Sequence, residues 1–134
     1  VLVGSESFIE RCRRARKAFG GGMRQAGIIA AAGLYALQNN IDRLAVDHQR
    51  AAAVADGLRS IPGLIVADDV DTNILMVDLD SSVSMDAHQF QDKLEELGIK
   101  LYSVKERRVR LVFHLDLDDD VVPRTVSIFK QALG

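Results

Sequence analysis

Two arginine-rich segments carry the side chains best suited to chemistry. The first is Arg11, Arg13, Arg14, Arg16 and Lys17, running into Gly20-Gly21-Gly22-Met23-Arg24. On a helix these five cations cannot share one face, because Phe8, Cys12 and Ala15 claim the apolar side. Arg13 and Lys17 are four apart, so they share a face and point towards the glycines. A glycine loop leading into a helix N-terminus offers backbone N–H groups to an anion, and Arg24 adds a planar charged fork. A phosphate cradle is one reading. The same residues also suit a solvated basic helix closed by a glycine C-cap. Nucleic acid is the weakest reading, since no aromatics alternate with the cations.

The second segment is Arg107-Arg108-Val109-Arg110-Leu111-Val112-Phe113-His114. Strand alternation puts Val109, Leu111 and Phe113 on a core face and Arg108, Arg110, Val112 and His114 on the other. An arginine on that outer face can grip a carboxylate through two N–H bonds, or it can form a cross-strand ion pair with an acid. The histidines promise less. His48 falls on the apolar seam of a helix and reads as a core or interface residue. His88 falls on a polar helix face, and Asp116 can orient the ring of His114. No pair of them has metal-ligand spacing with each other or with Cys12, so no zinc site is expected. Nucleophile-elbow, phosphate-loop and dinucleotide fingerprints are missing.

The elements that must hold these residues follow from periodicity. With 134 residues, 48% hydrophobic and 27% charged, the chain has an ordinary globular composition. A single cysteine excludes an internal disulfide and fits a reducing, cytoplasmic setting. The opening Val1-Leu2-Val3 reads as the end of a buried strand and lacks signal-peptide features, and the chain looks cut from something longer. Charge is uneven: residues 1–41 hold six basic and two acidic side chains, against eleven and seventeen in residues 42–134. Such an excess favours an anionic ligand without naming it.

Ser5 is a candidate N-cap for a helix that the glycines end. A small-residue helix is expected from about Gln25 to about Asn39, too short and weakly apolar to span a membrane. A third helix follows on the seam Ile41, Leu44, His48, Ala51, Ala55 and Leu58, ending near Pro62. Beyond Pro62 the pattern changes to strands at 64–66 and 73–79, a helix at 85–97, strands at 99–104 and 107–113, and a helix at 121–133. The fold class is α+β. Residues 62–134 should form one sheet covered on one face by the helices bearing Phe90 and Phe129.

Specific strings sharpen this picture. Arg16-Lys17-Ala18-Phe19-Gly20-Gly21-Gly22-Met23-Arg24-Gln25-Ala26-Gly27 resembles a segment of the low-specificity L-threonine aldolases. The resemblance continues through Ala30 to Leu37, Arg43-Leu44-Ala45, Asp47-His48, Thr72-Asn73-Ile74, and Val109 to Asp116. It implies an aminotransferase-like fold that uses pyridoxal 5'-phosphate. By it, residues 1–40 are the end of the large cofactor domain, 41–61 a long connecting helix, and 62–134 the small C-terminal domain. It also implies that the lysine carrying the cofactor as a Schiff base lies upstream of Val1, so this chain holds no catalytic residue of that kind. Lys17 and Arg24 match positions that approach the cofactor phosphate across a subunit interface. Arg110 matches the arginine that grips the substrate carboxylate. Phe113 departs from a common threonine, an expected packing change. Nothing carries over to Ser103–Arg107. The implied activity is cleavage of L-threonine or L-allo-threonine to glycine and acetaldehyde, by a homo-oligomer with shared active sites. Another lyase acting on β-substituted amino acids, and a non-catalytic anion-binding module, are the alternatives.

Overall fold

The alternation in Leu75-Met76-Val77-Asp78-Leu79 and in Arg108-Val109-Arg110-Leu111-Val112 puts one apolar and one mixed face on each strand. These strands become the centre of a four-stranded antiparallel sheet in the computed structural model, which describes all of residues 1–134. Its strands are β1 (Leu64–Val66), β2 (Ile74–Leu79), β3 (Tyr102–Lys105) and β4 (Arg108–Val112), in the order β1-β2-β4-β3. The β2–β4 register pairs Leu75 with Leu111, Met76 with Arg110, Val77 with Val109 and Asp78 with Arg108. One face of the sheet therefore gathers Leu75, Val77, Leu79, Val109 and Leu111, all buried. Phe113 joins them at 2% exposure, as its place in the alternation requires.

Three helices supply the rest of that core: α3 (Leu44–Arg59), α4 (Ala87–Glu96) and α5 (Val121–Leu133). Phe90 of α4 and Phe129 of α5 meet edge-to-face, with ring centroids 5.4 Å apart and an 84° interplanar angle. That geometry suits the ring quadrupoles. Helix α4 starts on a full capping box: the Asp86 carboxylate accepts from the N–H groups of His88 and Gln89, and the Gln89 side chain accepts from the Asp86 N–H.

The buried face of α3 is Asp47, Ala51, Val54, Ala55 and Leu58. The upper part of the expected seam is rotated out: Ile41 and Leu44 are exposed, and so is His48. His48 is thus no core residue in this chain. Asp47 takes the inward position because Arg43, one turn earlier, neutralises it through two bonds of 3.0 and 2.8 Å. A carboxylate buried to 2% exposure is tolerable only with such a partner.

These elements make up one compact unit, Arg43–Gly134. Helix α3 belongs to it and packs on the sheet and on α5, so the segment read from sequence as a connecting helix is part of this core. The other unit, Val1–Asp42, holds α1 (Glu6–Ala18) and α2 (Gly27–Asn39). Helix α2 starts two residues later than expected, because Arg24-Gln25-Ala26 form a turn. Neither α1 nor α2 buries a residue.

Candidate functional site

Each expected site residue can be followed from its element. Lys17 lies in the last turn of α1, where a cation suits the negative end of the helix dipole. The glycines that follow close the helix. Gly20 takes the left-handed conformation with φ 79°; its N–H bonds the Lys17 carbonyl at 3.2 Å, and the Gly21 N–H bonds the Arg16 carbonyl at 2.8 Å. This paired arrangement is a Schellman cap. It corrects the expectation of a loop whose glycine N–H groups all face an anion, since two of the three are taken up by the helix that they end. The cap and the cradle compete for the same donors, and the cap wins because the carbonyls are already in place.

What remains for an anion is the side chains. The Lys17 stem lies over Gly22: a β-carbon at residue 22 would fall 2.6 Å from its Cδ. Glycine at 22 thus gives Lys17 room to lie along the loop. Arg24 stands exposed at the other end of that loop, and Ala26 at the head of α2 places no side-chain acceptor on the N–H groups behind it. Arg13 lines a hollow with Leu2, Ile9, Cys12 and Arg16, away from the loop position expected for it. No ion pair engages any cation of α1 or Arg24, and the sequence has no acid between Glu10 and Asp42. Unpaired cations beside an uncapped helix start fit a phosphate dianion.

Arg110 stands in the other unit, on the sheet face away from the helices. Three arginines cluster here, and their partners separate them. Arg107 donates to the carbonyls of Leu79 (3.2 Å), Met85 (3.1 Å), Val83 (3.0 Å) and Asp80, and so ties down the 80–86 loop. Arg108 forms a two-pronged pair with the Asp78 carboxylate, both contacts 2.6 Å. The hydrogen bond from Arg108, and then its charge, hold the Asp78 pKa below the usual 3.8. The ion-pair reading of this strand is therefore realised, at Arg108. Arg110 has no acid at all. Its Nε is buried without a partner, and its only close contact of note is the Tyr102 ring, 5.9 Å from the guanidinium carbon. The covered Nε leaves the Nη1/Nη2 edge to meet a ligand, in the planar fork that matches a carboxylate.

The remaining candidates are minor. His114 is exposed, and its Nδ1 accepts from the Asp116 N–H at 3.3 Å, so Asp116 does orient it, through the backbone. His88 is exposed beside Asp92. No cluster of His, Cys, Asp and Glu could hold a metal, and no helix is long and apolar enough to cross a membrane. Sequence reasoning missed Tyr102, which only its strand register reveals: Tyr102 sits directly opposite Arg110.

The chain is 40% identical to low-specificity L-threonine aldolase 1 of Arabidopsis thaliana, over 99% of this chain and 37% of that protein. Its identity to the low specificity L-threonine aldolase of Escherichia coli (strain K12) is 41%, over 100% of the chain and 38% of that protein. An alanine racemase of Cochliobolus carbonum is 31% identical, over 99% of the chain and 34% of that protein. The chain thus spans a little over a third of the length of these relatives. Among solved structures, the α-aminoadipate aminotransferase of Thermus thermophilus matches over 98% of the chain and 36% of its own length, with a TM-score of 0.70 at 14% identity. The cystine C-S lyase C-DES matches over 78% and 28%, with a TM-score of 0.64 at 21% identity. These two share the fold. The model of the beta-eliminating lyases matches residues 1–82, and the chain belongs to that family.

Proposed function

We propose that the chain serves as the C-terminal part of a pyridoxal-phosphate-dependent aldolase that cleaves L-threonine or L-allo-threonine to glycine and acetaldehyde. Lys17 and Arg24 would hold the cofactor phosphate, and Arg110 the substrate carboxylate. The observation that carries the reading is the contrast within one cluster: Arg107 and Arg108 are fully engaged, and Arg110 faces outward with no acid. A guanidinium left unpaired and half-buried on a strand is suited to an incoming carboxylate. The identity to the two aldolases supports the substrate class.

When bound, pyridoxal phosphate supplies an electron sink for the pair released as the Cα–Cβ bond breaks. This chain's task in that step is positioning. Arg110 fixes the carboxylate through the rigid fork, which restricts rotation about the bonds at Cα and keeps the Cα–Cβ bond in its reactive orientation. Lys17 and Arg24 neutralise the phosphate and anchor the other end of the reacting assembly. The five lysines of this chain include none assigned to the covalent bond with the cofactor, so the chain alone should bind no cofactor covalently and show no turnover. The working enzyme is a cytoplasmic homo-oligomer whose active sites combine residues from neighbouring subunits. The alanine racemase relative favours one second reading, a different reaction at Cα on the same carboxylate grip.

The test compares two variants of the full-length holoenzyme. Arg110→Lys should lower kcat/KM for threonine about a hundredfold, roughly 2–4 kcal/mol of transition-state stabilisation, with cofactor affinity nearly intact. Lys17→Ala should weaken cofactor retention, and added pyridoxal phosphate should restore much of the rate. The opposite assignment of losses would refute both roles. Assays with serine, threonine, phenylserine and alanine separate the aldolase from its alternatives.

A further inference from the structure

The geometry points to Tyr102 as a positioning residue for Arg110, setting the plane in which the guanidinium meets an α-amino-acid carboxylate. The inference rests on the reading of Arg110 as the carboxylate grip, and it gives a role to an edge strand that the family resemblance leaves unassigned. Tyr102, Arg110 and Met76 form one row across β3, β4 and β2, each directly opposite the next. Arg110 thus lies between an aromatic ring and a thioether chain, on a face with no free acid. Its guanidinium carbon lies over the Tyr102 ring at 5.9 Å, within the range at which a cation is drawn to the ring face. A planar guanidinium can lie flat against a ring face, which an ammonium cannot do.

Two further features fix the strand that carries the ring. The Ser103 N–H, next along the chain, is held by the Gln91 side chain of α4 at 2.7 Å, so the edge strand is fixed from the helix side. The register then slips between Ser103 and Lys105, so that Val104 has no residue opposite it. Such a bulge re-aims the side chains around it and ends the regular pairing beyond Ser103. Meanwhile Asp78, the one acid on the same face of β2, gives both oxygens to Arg108. Arg110 is therefore oriented by a ring that leaves its fork open, where an acid would have closed it.

The experiment has two arms. In this chain, the side-chain Nε–Hε resonance of Arg110 is followed by NMR in Tyr102→Leu and Tyr102→Phe. The wild type and Tyr102→Phe should share a resonance displaced by the ring current, and Tyr102→Leu should return it to the position of a free arginine. An unmoved resonance in Tyr102→Leu overturns the proposal whatever Arg110 binds. In the full-length holoenzyme, Tyr102→Leu should raise KM for threonine about two- to fivefold, the scale of an exposed cation–ring contact. The kcat and cofactor affinity should stay near wild type, and Tyr102→Phe should restore KM. In an Arg110→Lys background the Tyr102→Leu effect should vanish. If Arg110→Lys raises KM and Tyr102→Leu does not, positioning by Tyr102 is wrong while the carboxylate reading stands. If Arg110→Lys leaves KM unchanged, the carboxylate reading itself fails and takes the inference with it.

Discussion

Residues 1–42 and residues 43–134 use their apolar side chains in opposite ways. In the second unit, Phe90 and Phe129 are fully buried and the sheet closes over them. In the first, Phe19 is 91% exposed and Ile28 80% exposed, and no residue is buried. Yet the helices of both units have well-defined ends. The difference separates two sources of order. Local propensity and the glycine cap at its end suffice to define α1, whose N-cap Ser5 makes no side-chain bond, whereas a core needs apolar faces that meet each other. The candidate site cations follow the same division. Those of the first unit form no ion pair, although Glu6 and Glu10 lie on the same helix; Arg110 is unpaired because the nearby acid has another partner.

The largest test of this contrast is a pair of deletions. Phe129→Ala should destabilise the second unit by about 3–5 kcal/mol, through lost contacts and a residual cavity. Phe19→Ala should change folding free energy by less than about 0.5 kcal/mol, as exposed sites do. Denaturant unfolding of this chain measures both, and equal costs would break the comparison.

Within the second unit, the arginines should separate in the same way. Arg107→Ala leaves the carbonyls of Leu79, Asp80, Val83 and Met85 without their shared donor and should cost about 1–3 kcal/mol. Arg110→Ala should leave the unfolding midpoint almost unchanged, since it removes no hydrogen bond. A large stability loss at Arg110 would mark it as structural and weaken its role in ligand binding.

The smallest effect concerns Asp78. Its folded-state pKa is lowered by the Arg108 hydrogen bond, so the folded state favours its ionised form. That contribution is complete above the ordinary value of 3.8 and is lost as pH falls through the lowered value. The pair is partly exposed, so its whole worth should be at most about 1 kcal/mol. Comparing Asp78→Asn with wild type between pH 6 and pH 2 should show two stability curves that converge on the acid side. Curves that stay parallel would mean that the pair does not respond to pH.

Much of this was legible in the residues. The period-2 pattern of Arg107–His114 placed Arg110 outward and Phe113 inward, because strand side chains alternate whatever surrounds them. Val121–Leu133 appeared as a helix with its observed bounds, and the glycine run ended α1 as a C-cap should. The strings shared with the aldolases pointed to Lys17, Arg24 and Arg110. The face that α3 buries was not legible. His48 and Asp47 are adjacent, and a hydrophobic pattern favours the histidine; only the Arg43 partner and the contacts of α3 with α5 and the sheet turn Asp47 inward.

Apart from Val1-Leu2-Val3, expected as a buried strand and found exposed outside any element, the sequence by itself determined which segments are helices and strands, and that cations gather before the glycine loop, because these depend on neighbours within a turn or two. The tertiary structure alone decided which arginine stays free. Asp78 and Arg108 are 30 residues apart, and only the antiparallel register sets them opposite one another. The same register puts Tyr102, and no carboxylate, beside Arg110. A shift of one residue would reverse every face, so the partner of each charge is a property of strand pairing and cannot be read from the strand itself.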